Sequence, residues 1–302
     1  MFNIIEKEAI DSMYIYLNGK IVPQEEAFIS VFDHGFMYGL GLFETFRVYG
    51  GHPFLLDDHL TRLNSSLKAM NIDKSFAREE VVQIIQSLLQ FNHLQDAYIR
   101  WNVSAGNGMI GLQTDMYTDP NIIVYLKPIA KDQVRVEKTG HVVTIPRNTP
   151  EGAFRLKSHH YLNNILAKRE VGEDLSVEGL FLTREGFVAE GITSNIFWIT
   201  KDALYTPSLE TGILNGITRK FILILAERIG LTIQEGLFQL KDLKEADEVF
   251  ATNSIQEIFA IKRIDATIFK GLEGYYFNKL LTEYKRWTNQ LWSRNELGGI
   301  KE

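Results

Sequence analysis

Apolar residues recur at every second position in some stretches of this chain and at every third or fourth in others, which separates strands from helices. Tyr14-Ile15-Tyr16-Leu17 and Lys20-Ile21-Val22 flank Asn18-Gly19, the signal of a hairpin with a type I′ turn. Residues 43–49 read as a strand closed by Gly50-Gly51. Asp57 or Asp58 can cap a helix whose stripe is Leu60, Leu63, Leu67 and Met70. Val81, Ile84, Ile85, Leu88 and Phe91 mark a second helix. From 97 to 104, Ile99, Trp101 and Val103 face one way while Tyr98, Arg100, Asn102 and Ser104 face the other. A strand over 121–127 ends at Pro128.

Beyond it, Pro128-Ile129-Ala130-Lys131-Asp132 reads as a linker. Strands are predicted over 134–137 and 141–145, then a helix over 162–171 that stops before Gly172. A strand-rich stretch covers 178–205, and 217–229 is an amphipathic helix stopped by Gly230. More strands follow at 231–235, 248–251 and 257–263. The tail, 275–292, is predicted helical with Phe277, Leu280, Leu281, Tyr284 and Trp287 inward. Trp101 and Phe154 read as core. The pattern is α+β in two parts: a small N-terminal α/β domain over 1–127, a linker at 128–133, and a larger domain over 134–302.

Composition narrows the function. A net charge of −6 with no basic stripe argues against nucleic acid. The absence of cysteine excludes disulfides, thiolate metal sites and cysteine nucleophiles. The seven histidines are scattered without ligand spacing, so no metal is expected. No apolar run is long enough to span a bilayer, and Met1–Glu8 holds no signal-like core, so a soluble cytoplasmic protein is expected. Phosphate-loop, dinucleotide and serine-hydrolase motifs are missing from the sequence.

A different set of residues carries chemistry. Lys157 offers an amine that can form a Schiff base and then act as a base; read alone, it is a surface lysine at a helix entrance. Glu190, before Gly191-Ile192-Thr193-Ser194-Asn195, can face a pyridine nitrogen and keep it protonated; read alone, it ends a strand in water. Gly216 leads into a helix whose Ile217 and Thr218 N–H groups suit a phosphate, or is simply a cap. Thr252-Asn253-Ser254 offers hydroxyls and amides for the same phosphate, and Arg62 either a fork for it or a solvated guanidinium. Thr193, Ser194 and Asn195 lie against the ring or phosphate, or are ordinary turn residues. Together these pieces describe a pocket for pyridoxal 5′-phosphate. Asp33-His34-Gly35 reads as turn chemistry, with His34 structural.

Taken with Phe32-Asp33-His34-Gly35-Phe36-Met37-Tyr38-Gly39-Leu40-Gly41-Leu42-Phe43-Glu44-Thr45, His59-Leu60-Thr61-Arg62-Leu63 and Asn215-Gly216-Ile217-Thr218-Arg219, the set resembles the fold-type IV pyridoxal phosphate enzymes. These include branched-chain and D-amino-acid aminotransferases and aminodeoxychorismate lyases. The resemblance runs from Tyr14 to about Lys262. It implies a two-domain, D-amino-acid aminotransferase-like architecture with the cofactor between the domains, in a homodimer. It also implies Lys157 as the Schiff-base lysine and Glu190 at the ring nitrogen. Arg62, Ile217, Thr218 and the Thr252–Ser254 turn fall at the phosphate.

The same resemblance bears on substrate. Ile110 and Leu112 stand where D-amino-acid aminotransferases carry an Arg-x-His pair, and Phe36 where they carry tyrosine. Branched-chain aminotransferases read Phe-Glu-Gly at Phe43-Glu44-Thr45 but share Tyr161-Leu162-Asn163. The run from Phe43 to Tyr49, with Pro53-Phe54-Leu55-Leu56 and Ser104-Ala105-Gly106, looks most like aminodeoxychorismate lyases. The expectation is therefore a lyase that releases pyruvate and 4-aminobenzoate, in folate synthesis. Phe36, Tyr38, Arg47, Arg100, Arg155 and Tyr161 are the expected substrate contacts, with the arginines chosen to match a dicarboxylate. The alternatives are a branched-chain or D-amino-acid aminotransferase and a non-catalytic cofactor carrier.

Overall fold

The computed structural model describes residues 13–129 and 135–298. The expectations for Met1–Glu8, for Ala130–Asp132 of the linker and for Val134 lie outside them. Contacts divide the chain into two compact units. The first is Met1–Lys131 with Lys157–His160; the second is Asp132–Leu156 with Tyr161–Glu302.

In the first unit, β1 (Tyr14–Leu17) and β2 (Lys20–Pro23) form the predicted hairpin. Asn18 and Gly19 take the positive φ that its turn requires. After the short helix α1 (His34–Tyr38) come β3 (Gly41–Tyr49) and β4 (His52–Pro53), joined through Gly50-Gly51. Helices α2 (Leu56–Ala69) and α3 (Arg78–Phe91) follow, then β5 (Ala97–Ser104) and β6 (Asn121–Pro128). The six strands lie in the order β2-β1-β6-β5-β3-β4, every pair antiparallel. The predicted alternation in β5 holds: Ile99, Trp101 and Val103 are buried.

One expectation about this unit needs correction. Neither Asp57 nor Asp58 caps α2. Leu55 occupies the cap in the left-handed conformation, and both aspartates sit in the first turn, where the helix dipole favours acids. Phe91, the last residue of α3, is exposed and packs at a tilt against Tyr14, with ring centroids 5.4 Å apart.

The second unit holds β7 (Glu137–Val142), α4 (Leu162–Val171), β8 (Val177–Leu182), β9 (Val188–Gly191), β10 (Asn195–Thr200) and β11 (Ala203–Pro207). It continues with α5 (Ile217–Arg228), β12 (Thr232–Gly236), α6 (Leu240–Lys244), β13 (Glu248–Asn253), β14 (Glu257–Ile264), β15 (Thr267–Ile268) and α7 (Tyr275–Trp287). The sheet order is β12-β11-β10-β13-β14-β7-β8-β9, with β15 on β14. Trp198, Phe259 and Ile261 anchor its core. Helix α5 buries Phe221, Ile222 and Leu225, and Phe221 meets Tyr284 of α7 edge to face.

Three expectations fail here. The strands predicted at 134–137 and 141–145 are one strand, β7. Gly140 does not break it but admits the Ile264 and Leu180 side chains: a Cβ there would lie 2.8 Å from Ile264 Cγ1. Helix α7 ends at Trp287, short of 292. Phe154 is exposed, not core. No helix among the described residues is long and apolar enough to cross a membrane.

Candidate active site

The first unit places Lys157 by backbone pairing. Residues 157–159 run antiparallel to the start of β3: Phe43 N–H donates to the Lys157 carbonyl (2.9 Å) and His159 N–H to the Gly41 carbonyl (3.0 Å). Gly41 has no side chain because the His159 ring occupies that space. Lys157 Nζ then lies 4.6 Å from the centroid of the buried Phe43 ring, and the Arg100 guanidinium 3.8 Å from it. Phe43 is thus an aromatic platform for two cations. His159 also stacks on Phe43. Burial first, and then the Arg100 charge, push its imidazole down to about 4. Lys157 and Arg100, both singled out from sequence, are therefore brought together.

Neighbouring residues in β3 point to opposite faces, so Glu44 leaves the Phe43 side and meets α2. Its carboxylate, 2% exposed, accepts Arg62 Nε–H at 2.7 Å and Nη2–H at 2.6 Å. His59 Nδ1 donates to the same carboxylate at 2.7 Å. Burial opposes the charge on Glu44, but Arg62 and His59 outweigh it and hold the carboxyl down at about 2. Arg62 is therefore not a solvated arginine.

The remaining candidates in this unit have local roles. Arg47 is buried with its guanidinium 4.6 Å from the Tyr49 ring centroid. Tyr38 Oη accepts the Gly111 N–H, and Phe36 is exposed. His34 is structural, as expected. Its Nε2 faces the Met109 carbonyl (2.9 Å) and must donate, which leaves Nδ1 to accept from Tyr117 Oη (2.7 Å).

In the second unit Glu190, 5% exposed, lies near the end of β9 inside a polar net. Arg147 Nε donates to Oε1 at 2.8 Å, while Leu214 N–H (3.0 Å) and Asn195 Nδ2 (3.4 Å) reach Oε2. Arg147 Nη1 also holds Asn163 (2.7 Å) and Asn164 (3.2 Å). Glu190 is thus no solvated strand end. Arg155, expected at a substrate carboxylate, points instead into this net. It donates to the Gly212 carbonyl (2.5 Å) and to Asn148, and lies 3.9 Å from Glu190. Burial and the Arg147 charge lower it to about 10. Tyr161 is half-buried at the N-cap of α4.

Asn195 links Glu190 to the start of α5. Its Nδ2 also donates to the Leu214 carbonyl (2.9 Å), and its Oδ1 fills the space where a Gly216 Cβ would stand. Gly216 caps α5 with no side-chain hydrogen bond, and the first turn carries no acid. Beside it Thr218 Oγ1 and Ser254 Oγ lie 3.3 Å apart. Thr252 pairs with Asn195 across β10 and β13, and its buried Oγ1 has no hydrogen-bond partner. Unsatisfied N–H groups, hydroxyls and an orphaned buried oxygen gathered at one helix N-terminus suit an anion with several acceptor oxygens.

Three other members of the predicted cofactor set make contacts within the protein or are exposed. Asn253 turns its Oδ1 to the Ile255 and Gln256 N–H groups. Ser194 donates to the buried Glu178 (2.7 Å), which Lys138 also holds (3.2 Å), while Thr193 is exposed.

Sequence reasoning missed Arg147, Glu44 and His59. Glu44 carried a signal, since an acid inside the apolar run Leu42-Phe43-Glu44-Thr45-Phe46 needs a buried partner. Arg147 carried none, because its partner lies across the sheet.

The two mixed α/β units and these side-chain nets are the equipment of an enzyme. The chain belongs to the amino-transferase class IV family, whose model matches residues 41–264, from the first residue of β3 to the last of β14. It is 45% identical to the aminodeoxychorismate lyase of Bacillus subtilis over 90% of this chain and 94% of that one. It is 37% identical to a putative branched-chain-amino-acid aminotransferase of Methanocaldococcus jannaschii, over 90% and 96%. Among solved structures it is similar to the branched-chain aminotransferase of the archaeon Thermoproteus uzoniensis with norvaline. That match has a TM-score of 0.81 and 31% identity and covers 91% and 94% of the two chains.

Proposed function

We propose that this chain is a pyridoxal phosphate-dependent 4-amino-4-deoxychorismate lyase, homodimeric and cytoplasmic, that serves folate synthesis. The observation that carries the substrate is the 45% identity to a lyase of that name across nearly the whole chain. The cofactor reading rests on the anion-ready N-terminus of α5 and on Glu190 tied to it through Asn195. A homodimer is supported by apolar residues left exposed in the first unit. Phe32 and Phe36 lie beside the segment carrying Met109, Ile110 and Leu112, joined by the Gly108 N–H to Phe32 carbonyl bond. A chain without cysteine fits the cytoplasm.

When bound, pyridoxal phosphate supplies an electron sink for charge developing beside the substrate nitrogen. Ile217 and Thr218 N–H, the Thr218, Ser254 and Thr252 hydroxyls and Arg62 would hold its phosphate. Glu190, charge-paired by Arg147, would accept the ring N–H. Lys157 would hold the cofactor covalently; once displaced by the substrate amine, its Nζ would take the proton from the amine-bearing ring carbon. Loss of that proton, with the C–O bond to the enolpyruvyl group breaking, makes the ring aromatic. The leaving group collects a proton to become pyruvate. Phe43 keeps the Lys157 amine over an apolar surface, and Arg100 beside it suits a substrate carboxylate.

Amine transfer between branched-chain substrates is the second reading, favoured by the Methanocaldococcus relative. The test is release of pyruvate and 4-aminobenzoate from aminodeoxychorismate with no keto acid present. Equal yields of both, lost in Lys157→Ala, are expected. Failure to release either, with amine transfer from leucine to 2-oxoglutarate, would replace the lyase by the aminotransferase.

A further inference from the structure

We propose that Glu44 and His59 are positioning residues for the cofactor phosphate, acting through Arg62. The inference rests on the proposed pyridoxal phosphate site and goes beyond it, because neither residue would touch the cofactor. His59 and Arg62 stand one turn apart on α2 and converge on one carboxylate of β3. Glu44 meets the guanidinium side-on, through Nε and Nη2, so the outward edge of the fork faces away from it. Arg62 keeps 16% side-chain exposure, whereas Glu44 and His59 are each at 2%.

Two effects compete. A buried carboxylate cancels the Arg62 charge and weakens its long-range pull on an anion. The same carboxylate fixes a flexible side chain that would otherwise have to be ordered on binding. A bidentate contact with phosphate depends on the plane of the guanidinium, so orientation outweighs the lost charge. His59 reinforces the clamp. Burial lowers its pKa, and as a neutral ring it donates Nδ1–H to Glu44 without adding charge. Phe46 packs beside that ring, with centroids 5.2 Å apart.

The experiment compares pyridoxal phosphate with pyridoxal, which lacks the phosphate. Full-length apoprotein is titrated with each and read by cofactor absorbance, independently of turnover. Wild type is expected to prefer pyridoxal phosphate. Glu44→Gln should reduce that preference on the order of tenfold, equivalent to about 1.4 kcal/mol. Its affinity for pyridoxal should stay within a factor of two, whereas a merely structural defect would weaken both ligands alike. In an Arg62→Gln background, Glu44→Gln should change the preference less than twofold. If Glu44→Gln does not fold, His59→Phe, which keeps the ring and the ion pair but removes the Nδ1 donor, should reduce the preference about threefold. A Glu44→Gln protein with undiminished or increased preference overturns the positioning role. Wild type that binds both ligands equally overturns the phosphate reading on which it rests.

Discussion

Replacing Gly216 by alanine tests the joint between the ring-nitrogen carboxylate and the phosphate cradle. Gly216 has φ −62° and ψ 140°, which alanine adopts without strain. A glycine at such a position normally leaves room to gain about 0.4–1 kcal/mol on substitution, through the unfolded chain. Here the new Cβ would overlap Asn195 Oδ1 and approach Arg219 Cβ to 3.3 Å. Asn195 is buried and cannot swing away without giving up its 2.9 Å bond to Leu214 and its 3.4 Å contact with Glu190. Leaving that amide unsatisfied costs about 1–3 kcal/mol. Subtracting the middle of the glycine gain from the middle of that cost leaves a net loss of about 1.3 kcal/mol. Urea unfolding of the apoprotein, followed by tryptophan fluorescence, measures it. Gly152→Ala is the control, since a Cβ there meets nothing within 4 Å. Asn195→Ala combined with Gly216→Ala should be no less stable than Asn195→Ala alone, because the overlap disappears with the carboxamide. Strictly additive losses, or a Gly216→Ala protein as stable as the control, would refute the close approach.

Arg147→Met should destabilise the protein by about 1–3 kcal/mol, since the buried Glu190 carboxylate loses its closest charged donor and keeps only Arg155 at 3.9 Å with the Leu214 and Asn195 donors; no loss in urea unfolding would contradict the net described. The His159 ring should titrate near pH 4 by NMR. Because its folded pKa lies below the unfolded value, the unfolded chain takes up the proton first, and stability should fall as pH drops from about 6.5 toward 4, more steeply in wild type than in His159→Gln.

Periodicity carried most of the fold. The hairpin at Asn18-Gly19, the alternation of β5 and the apolar face of α5 each follow from local rules. Local signals misled where a distant part of the chain decided the outcome. The single strand β7 reads as two in the sequence because its apolar alternation is interrupted around Gly140, where the crowding that demands a glycine comes from the distant Ile264 and Leu180. Asp57 looked like a cap, but the buried Phe54-Leu55 entry sets the start of α2, and Asp57 is taken by Arg78 instead. Among the candidate site residues, Lys157 with Arg100, and Glu190 with Asn195, fell within their own nets. Arg155 joined the net around Glu190, a contact that charge matching could not foresee because its partners, Gly212 and Asn148, are set by the fold.

The return of residues 157–159 to β3 has a consequence for how the molecule is made. Strand β3 emerges early in synthesis, but the edge beside Gly41–Phe43 receives its partner only after the following helices, β5, β6 and the start of the second unit have been produced. At ordinary translation rates that is on the order of ten seconds during which an apolar strand edge stays open to neighbouring nascent chains. A fragment ending at the 131/132 boundary would keep that edge open permanently, so the first unit is not separable by cutting there.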